Sequence, residues 1–387
     1  MREKTRIIYV FVVCMLMFAL FGSCGRGTVQ EAGYMTSYDY DDAGNESNGY
    51  GYTDETSETA SSDNAALPRK ADTHLAGHSD AIHGLISVVE YGGNRAYIMG
   101  SIHIGREDWY PLSPVVEAAM DSADVFAFEI DLGASGGPCI CGECIHECDY
   151  HADADECMCL LMDMMFFPEG TTLADFLPAD VYEIFMENLN TFPVYAEAFA
   201  PLRPTTVSEF ILYEIVAPAL GLSSEHSIDM YVFNRAQGLS RPTIGLTCFN
   251  AHVAFISGMP DEYQIATARY FSDFDTALEE VEELAHIYET QDIEALIQAV
   301  TTGLAEAYEA YAAGELSAGG LGLARYWHYT VGNYRSAFFA RQVADLLTQT
   351  EEPTTFFVTV GIAHLTRDIN VFYVLQDMGF EVVGLHP

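Results

Sequence analysis

Short apolar runs alternate with longer segments of helical periodicity from about position 81 to the end of the chain. The runs "GLISVVEY" and "AYIMGSI" flank the turn sequence "GGNR", a pattern that predicts a β-hairpin. Further strands are predicted for "DVFAFEIDL", "PTIGL", "TTFFVTVG" and "FEVVGL". Strands that alternate with helices are typical of an α/β fold. We therefore expect a mainly parallel sheet core, with the helix-rich middle of the chain as an insertion lobe.

The N-terminus has the pattern of a targeting segment. Arg2, Lys4 and Arg6 precede an apolar run, Ile7–Phe21, which is short for a membrane-spanning helix and typical of a signal peptide. The sequence "FGSC" follows and resembles a bacterial lipoprotein signal, in which cleavage leaves Cys24 as the lipidated first residue. Ordinary secretion is the alternative. Either process places the mature chain outside the cytoplasm, where disulfides can form.

The residues after the predicted signal peptide, 25–80, are acidic and poor in aliphatic side chains. Such a segment buries too little apolar surface to offset the entropy lost on ordering, so we expect a disordered tether. The folded domain is predicted for 81–387. The whole chain carries 57 Asp and Glu against 16 Lys and Arg, a formal net charge of -41. That charge disfavours nucleic acid and anionic lipid as partners, so we expect membrane contact only through the lipid anchor.

Two apolar runs each end in the same motif, Gly-x-x-His. "YIMGSIHIG" contains His103, and "VTVGIAHLT" contains His364. Ligands in α/β sheets bind beyond the carboxyl ends of the strands, where both histidines are expected. Glu129 lies inside the apolar run "FAFEIDL", where a carboxylate is costly unless it is paired or binds a metal. Two imidazoles and a carboxylate can bind catalytic zinc, or manganese or iron, although a single histidine at a strand end is more often structural.

The order of several motifs resembles the TraB/GumN family, which also includes pheromone-shutdown proteins and the Tiki-type metalloproteases. The similar segments are "YIMGSIHIG", "VVEAAMDSADVFAFEIDL", "EGTTLADFLPADVYEIF", "SIDMYVFNRAQGLSRPTIGL" and the closing "TTFFVTVGIAHLTRDINVFYVLQDMGFEV". The closing block is the most specific of them. The resemblance implies an α/β core with a helical insertion and, as in the Tiki branch, metal-dependent cleavage of peptides.

His103, Glu129 and His364 fall on the family's two Gly-x-x-His motifs and its strand glutamate. The resemblance thus implies a site for a divalent cation such as Mn, Co or Zn. Glu129 would be either the third ligand or the general base, and Arg335 could steady a developing oxyanion. The expected substrate is a peptide or another small extracytoplasmic molecule.

Two positions depart from the family pattern. The family often has Gly-Leu-Glu after its fourth core strand, where this chain has Thr247 in place of the glutamate. It also commonly has an Arg-Asn pair at the start of the late helix, where this chain has Gly332-Asn333. These departures keep a second hypothesis open: a non-catalytic protein that binds and sequesters a peptide or pheromone.

A cysteine-rich insertion occupies 139–159, directly after the strand with Glu129. It contains Cys139, Cys141, Cys144, Cys148, Cys157 and Cys159. Six cysteines outside the cytoplasm can form three disulfides, and cysteines at such spacings can also bind zinc. The C-x2-C…C-x2-C spacing of a zinc ribbon is absent, which favours disulfides. In both cases the insertion would be a cross-linked loop that could cover the site.

Overall fold

The computed structural model describes residues 82, 84–130, 165–190, 196–247 and 259–385. The predicted signal peptide, Cys24, the acidic tether and the cysteine-rich insertion lie outside these residues. Within them, each helix is too short or too polar to cross a bilayer.

The described residues form a six-stranded mixed sheet. Its strands are β1 (Ile86–Tyr91), β2 (Asn94–Ser101), β3 (Val125–Ile130), β4 (Thr243–Thr247), β5 (Thr355–Gly361) and β6 (Val382–Gly384). Their order in the sheet is β4-β3-β5-β2-β1-β6. The pairs β3–β4, β3–β5 and β2–β5 are parallel, while β1 pairs antiparallel with β2 and with β6. The prediction of an α/β fold with a mainly parallel sheet is confirmed.

The predicted hairpin joins β1 and β2, with Tyr91 opposite Asn94. Gly92 and Gly93 form the turn, and both have positive φ, 61° and 98°. A two-residue hairpin turn of this hand matches the right-handed twist of the strands, and glycine adopts the positive φ that it requires at no steric cost. The hairpin therefore has a local cause in the sequence.

Helices cover the sheet and fill the middle of the chain. In chain order they are α1 (Pro114–Ser122), α2 (Leu173–Phe176), α3 (Ala179–Asn190), α4 (Ala196–Phe199), α5 (Pro204–Phe210), α6 (Ala217–Ala219), α7 (Ile228–Gly238), α8 (Asp261–Tyr270), α9 (Phe274–Thr290), α10 (Ile293–Ala313), α11 (Ala318–Arg325), α12 (Arg335–Gln349), α13 (Ala363–Thr366) and α14 (Val371–Asp377). Two π-helical segments, Ile211–Val216 and Tyr326–Tyr334, join α5 to α6 and α11 to α12.

The helix-rich middle of the chain includes three consecutive helices, α8, α9 and α10, which end at Ala313. Asp273 and Asp292 accept hydrogen bonds from the first turns of α9 and α10, and Gln291 ends α9 in the left-handed conformation. Aspartates at these positions satisfy the free N–H groups of a helix start, so each break has a capping residue.

Two hydrophobic cores support the described fold. One surrounds the sheet and contains the fully buried Phe128, Phe339 and Phe357. The other lies within the helical lobe, where Leu173 and Phe185 are fully buried. Leu220 and Val281 pack against both cores. The helical insertion therefore has its own packed interior and joins the sheet domain along one boundary.

Candidate functional site

Strand order brings three distant segments to one edge of the sheet. β2 and β5 are parallel neighbours, with Ser101 opposite Gly361, so the chain leaves both strands at the same level. His103 follows β2, and His364 lies in α13, just after β5. β3 pairs with the other side of β5 and carries Glu129 near its end. The three predicted residues thus share the carboxyl edge of the parallel strands, the usual location of ligand sites in α/β proteins.

The two Gly-x-x-His motifs interlock. The amide of Ile362, between Gly361 and His364, donates to the carbonyl of Ser101 over 2.7 Å. A side chain at Gly100 would begin only 3.2 Å from the Cα of Ile362 and would overlap its side chain. Glycine at 100 therefore lets the second motif pack directly on the first.

Gly361 lies at the centre of the site. A side chain there would begin 3.1 Å from Oε1 of Glu129, 3.6 Å from Nε2 of His103 and 3.7 Å from Cδ2 of His364. Oε1 of Glu129 is also 3.6 Å from Nε2 of His364. The structure therefore brings His103, Glu129 and His364 together around the space above this glycine.

Glu129 is buried, with 8% of its surface exposed, and both of its oxygens are engaged. Oε2 accepts a hydrogen bond from Nη2 of Arg335 over 2.9 Å, and Oε1 accepts one from the amide of Gly361 over 2.7 Å. Burial alone would raise the pKa of this carboxyl. The nearby His364, Arg335 and His103 and the Gly361 amide outweigh burial and lower the pKa to about 2. Glu129 is therefore a carboxylate at neutral pH.

His103 lies at the mouth of the site, with 53% of its side chain exposed. Its Nδ1 is 2.8 Å from Oδ2 of Asp229, which lies in the first turn of α7. Because a carboxylate only accepts, Nδ1 carries the proton in this bond and Nε2 faces the site. Desolvation lowers the pKa of His103, but the charges of Asp229 and Glu129 outweigh it and raise the pKa to about 9.

His364 is anchored through a hydroxyl. Its Nδ1 is 3.0 Å from Oγ of Ser336, and that hydroxyl donates to the carbonyl of Gly332 over 2.8 Å. The hydroxyl proton is thereby used, so Ser336 accepts from Nδ1–H, and Nε2 of His364 is left without a proton. Burial lowers the pKa of His364 to about 4, against the opposing effect of Glu129 and together with the positive charge of Arg335. The ring is neutral at neutral pH.

The three side chains at the site, two imidazoles and a carboxylate, are of the types that bind divalent cations. Fixing Nδ1–H of a histidine by an oxygen acceptor, as Asp229 and Ser336 do here, is the usual outer contact of a metal-binding histidine. The 3.6 Å between Glu129 and His364 matches two ligands of one ion, since atoms bound at about 2.1 Å in a tetrahedron are about 3.4 Å apart. In the described part of the chain, however, no group of three or more His, Cys, Asp or Glu side chains is arranged to hold a metal ion.

Arg335 begins α12, directly after the second π-helical segment. Its guanidinium pairs with Glu129 and lies 4.9 Å from the ring centre of Phe339. The structure thus places this predicted site residue against the carboxylate. π-Helical segments often occur at functional sites, and this one directly precedes both Arg335 and Ser336.

The two positions that depart from the family pattern lie near this edge. Thr247, at the end of β4, is paired with Ile130, the neighbour of Glu129. At Gly332 the space that a side chain would occupy is filled by the guanidinium of Arg367. A cation therefore lies over position 332, although it comes from a different segment of the chain.

Sequence reasoning did not assign roles to Asp229 or Ser336. Asp229 had a weak signal, because an aspartate-bearing helix before a strand is part of the family resemblance. Ser336 had none, since a serine on a helix is an ordinary residue. Both act through long-range contacts that no local pattern indicates.

A family model described as the TraB/PrgY/gumN family matches residues 85–383, most of the chain. No curated protein and no solved structure shows significant similarity to it. The matched range contains both Gly-x-x-His motifs, Glu129, Asp229 and Arg335. The chain therefore belongs to the TraB/PrgY/gumN family.

Proposed function

We propose that this protein is a metal-dependent hydrolase that cleaves peptides outside the cytoplasm. The observation that carries the proposal is the orientation of the two histidines. Asp229 and Ser336 hold the outer nitrogens of His103 and His364, so both Nε2 atoms face the space beside Glu129. Fixed imidazoles of this kind support metal binding with little reorganisation, although His103, with its pKa raised to about 9, must give up the proton on Nε2 when the metal binds.

His103, His364 and Glu129 would hold the cation, for which Mn, Co and Zn are the candidates. A divalent cation at such a site supplies an activated water near neutral pH. Arg335 keeps Glu129 ionised and in place, which favours the role of ligand for this carboxylate over that of proton acceptor. The half-exposed His103 leaves the site open to a substrate from the solvent side.

Metal content tests the proposal directly. We expect about one Mn, Co or Zn ion per purified wild-type chain, and at least a tenfold loss in His103→Ala and His364→Ala, because a ligand is removed. His286→Ala is the control, since His286 is an exposed histidine on α9. Elemental analysis after equilibrium dialysis gives the result, and equal metal in all four proteins would contradict the proposal.

A second candidate function is the capture of a peptide without cleavage. It is favoured by the lack, among the described residues, of a ready three-ligand group, and by the departures at Thr247 and Gly332. Incubation of a peptide library with metal-loaded protein separates the two functions. Cleavage that stops when the metal is chelated supports the hydrolase, whereas peptide binding without product supports the sequestering protein.

A further inference from the structure

The carbonyl of Gly332 supports two residues of the site at once. It accepts a hydrogen bond from the amide of Arg335 and another, over 2.8 Å, from the hydroxyl of Ser336. Arg335 pairs with Glu129, and Ser336 contacts Nδ1 of His364. The orientation of this one peptide group, in the last turn of the second π-helical segment, therefore affects both a carboxylate and an imidazole of the site.

The guanidinium of Arg367 lies against Gly332. A side chain at Gly332 would begin 2.5 Å from Cζ and 2.7 Å from Nε of Arg367, so the glycine leaves the room that the guanidinium occupies. Nη1 of Arg367 also donates to the carbonyl of Trp327 over 3.4 Å. Trp327 and Gly332 are five residues apart, which is the hydrogen-bond spacing of a π-helix. The guanidinium thus spans one turn of the π-helical segment.

The backbone of Arg367 is held in place by the helices on both sides. Arg367 follows α13 directly, three residues after His364. Its carbonyl accepts from the side-chain amide of Asn370 over 2.8 Å, and Oδ1 of Asn370 accepts from the amide of Tyr373 in the first turn of α14. Arg367 therefore reaches the π-helical segment from an anchored position.

In the described part of the chain, the guanidinium of Arg367 contacts helix backbone rather than a carboxylate. Its Nε is buried and has no hydrogen-bond acceptor among these residues. The neighbouring Asp368 lies 3.8 Å from Nε2 of His328 instead. Partial burial of a cation is costly unless the cation is paired. The contacts with Trp327 and Gly332 are therefore the ones that give this position a structural purpose.

The π-helical turn sets the direction in which Arg335 and Ser336 point. Its hydrogen bonds join residues five apart, one more than in an α-helix, and such turns are rare. If the turn relaxed to α-helical spacing, the residues after it would rotate by about 100° around the helix axis. Arg335 and Ser336 would then face away from Glu129 and His364. A guanidinium bound across the turn opposes this change, because the change would break its contacts.

We propose that Arg367 is a positioning residue that holds this turn and thereby keeps the hydroxyl of Ser336 against Nδ1 of His364. The proton of the His364 ring then stays on Nδ1, and Nε2 keeps a free lone pair on the side of Glu129. That this lone pair binds a cation rests on the proposed function, whereas the orientation of the ring does not. Arg367 acts through the turn and has no direct part in the chemistry.

The tautomer of His364 in metal-free protein at pH 7 tests this role without turnover. ¹⁵N NMR of the ring should show the Nδ1–H form in the wild type. The Nε2–H form should appear in Arg367→Ala, because the hydroxyl no longer accepts from Nδ1. Gly332→Ala should have the same effect, since its side chain displaces the guanidinium of Arg367. Arg341→Ala removes an exposed arginine of α12 and is the control, for which we expect the wild-type tautomer.

The dissociation constant for Co²⁺, measured by equilibrium dialysis, gives a second readout. We expect Arg367→Ala and Ser336→Ala each to weaken binding by about tenfold or more, the usual effect of losing an outer contact of a metal-binding histidine. The double variant should bind Co²⁺ within about threefold of Ser336→Ala, because both substitutions break one path. Losses that multiply in the double variant would show that Arg367 acts independently of Ser336 and would overturn the proposal.

The possible failures are distinct. A wild-type tautomer of His364 in both Arg367→Ala and Gly332→Ala overturns the role of Arg367 and leaves the proposed function standing. A wild type that binds no Co²⁺, Mn²⁺ or Zn²⁺ refutes the proposed function, while the tautomer still decides the role of Arg367. Should circular dichroism show that Arg367→Ala does not fold, Gly332→Ala provides the same two comparisons.

Discussion

Glu129 is stable as a buried carboxylate because Arg335 and the Gly361 amide face its two oxygens. The sequence indicated that Glu129 needed a partner, since it interrupts an apolar strand. The sequence did not show which residue provides the positive charge, because Arg335 is 206 positions away from Glu129. Local patterns mark a costly residue, but only the fold brings its partner to it.

Removing the charge of Glu129 should expose the cost of burying Arg335. In Glu129→Gln the guanidinium loses its counter-ion at a position where only 8% of the arginine is exposed. We expect the free energy of unfolding to fall by about 3–5 kcal/mol in urea titrations. The double variant Glu129→Gln with Arg335→Gln should recover part of this loss, because the unpaired charge is gone. A loss below about 1 kcal/mol in the single variant would contradict this account of the pair.

At the scale of elements, the apolar runs predicted the strands and the turn glycines predicted the hairpin. No comparable pattern predicted where the long helices end. The π-helical segments Ile211–Val216 and Tyr326–Tyr334 had no sequence signal. A π-helical turn hardly changes the spacing of apolar residues along a helix, so the sequence pattern does not reveal it. Such turns occur frequently at functional sites. The second of these segments directly precedes Arg335 and Ser336.

Gly105 ends the first Gly-x-x-His segment, and its role is a close approach between two elements. Its amide and carbonyl pair with Ser223 over 3.0 and 2.9 Å, and a side chain at 105 would overlap the carbonyl of His226. Because the obstacle is backbone, it cannot rotate away as a side chain could. The glycine therefore fixes how the loop with His103 meets the segment before α7.

We expect Gly105→Ala to lower the free energy of unfolding by about 1–3 kcal/mol, the usual cost of overpacking. Gly303→Ala is the matched control, since a side chain at that exposed position in α10 meets nothing within 4 Å. We expect it to change the free energy of unfolding in the opposite direction. Alanine in place of glycine at an exposed position inside a helix should raise the free energy of unfolding by about 0.5–1 kcal/mol. Urea titrations of both variants measure the difference, and equal stabilities would refute the close approach.

At the scale of the whole molecule, the net charge of -41 opposes adsorption to an anionic membrane. Attachment to a membrane would then depend on a lipid at Cys24, an expectation that comes from the N-terminal sequence. A lipidated N-terminus followed by a long acidic segment would place the folded domain away from the bilayer surface.

We expect the full-length chain, expressed in a bacterium that processes lipoproteins, to partition into the detergent phase. Cys24→Ser should move to the aqueous phase or remain unprocessed, because the acceptor thiol is lost. Cys14→Ser, within the apolar run of the signal, is the control and should behave as wild type. Phase separation and the mass of the mature N-terminus measure the outcome. Identical behaviour of both variants would exclude lipidation at Cys24.

The sequence by itself determined the fold class, the hairpin and three of the residues that meet at the site, His103, Glu129 and His364. Each had a local physical cause: alternation for strands, positive φ for the turn glycines, and an uncompensated carboxylate or a strand-end histidine for the site. Only the tertiary structure decided the partners of these residues. Asp229 and Ser336 are ordinary polar residues on helices, and they act at the site because the strand order β3-β5-β2 brings His103 and His364, which they contact, to one edge of the sheet.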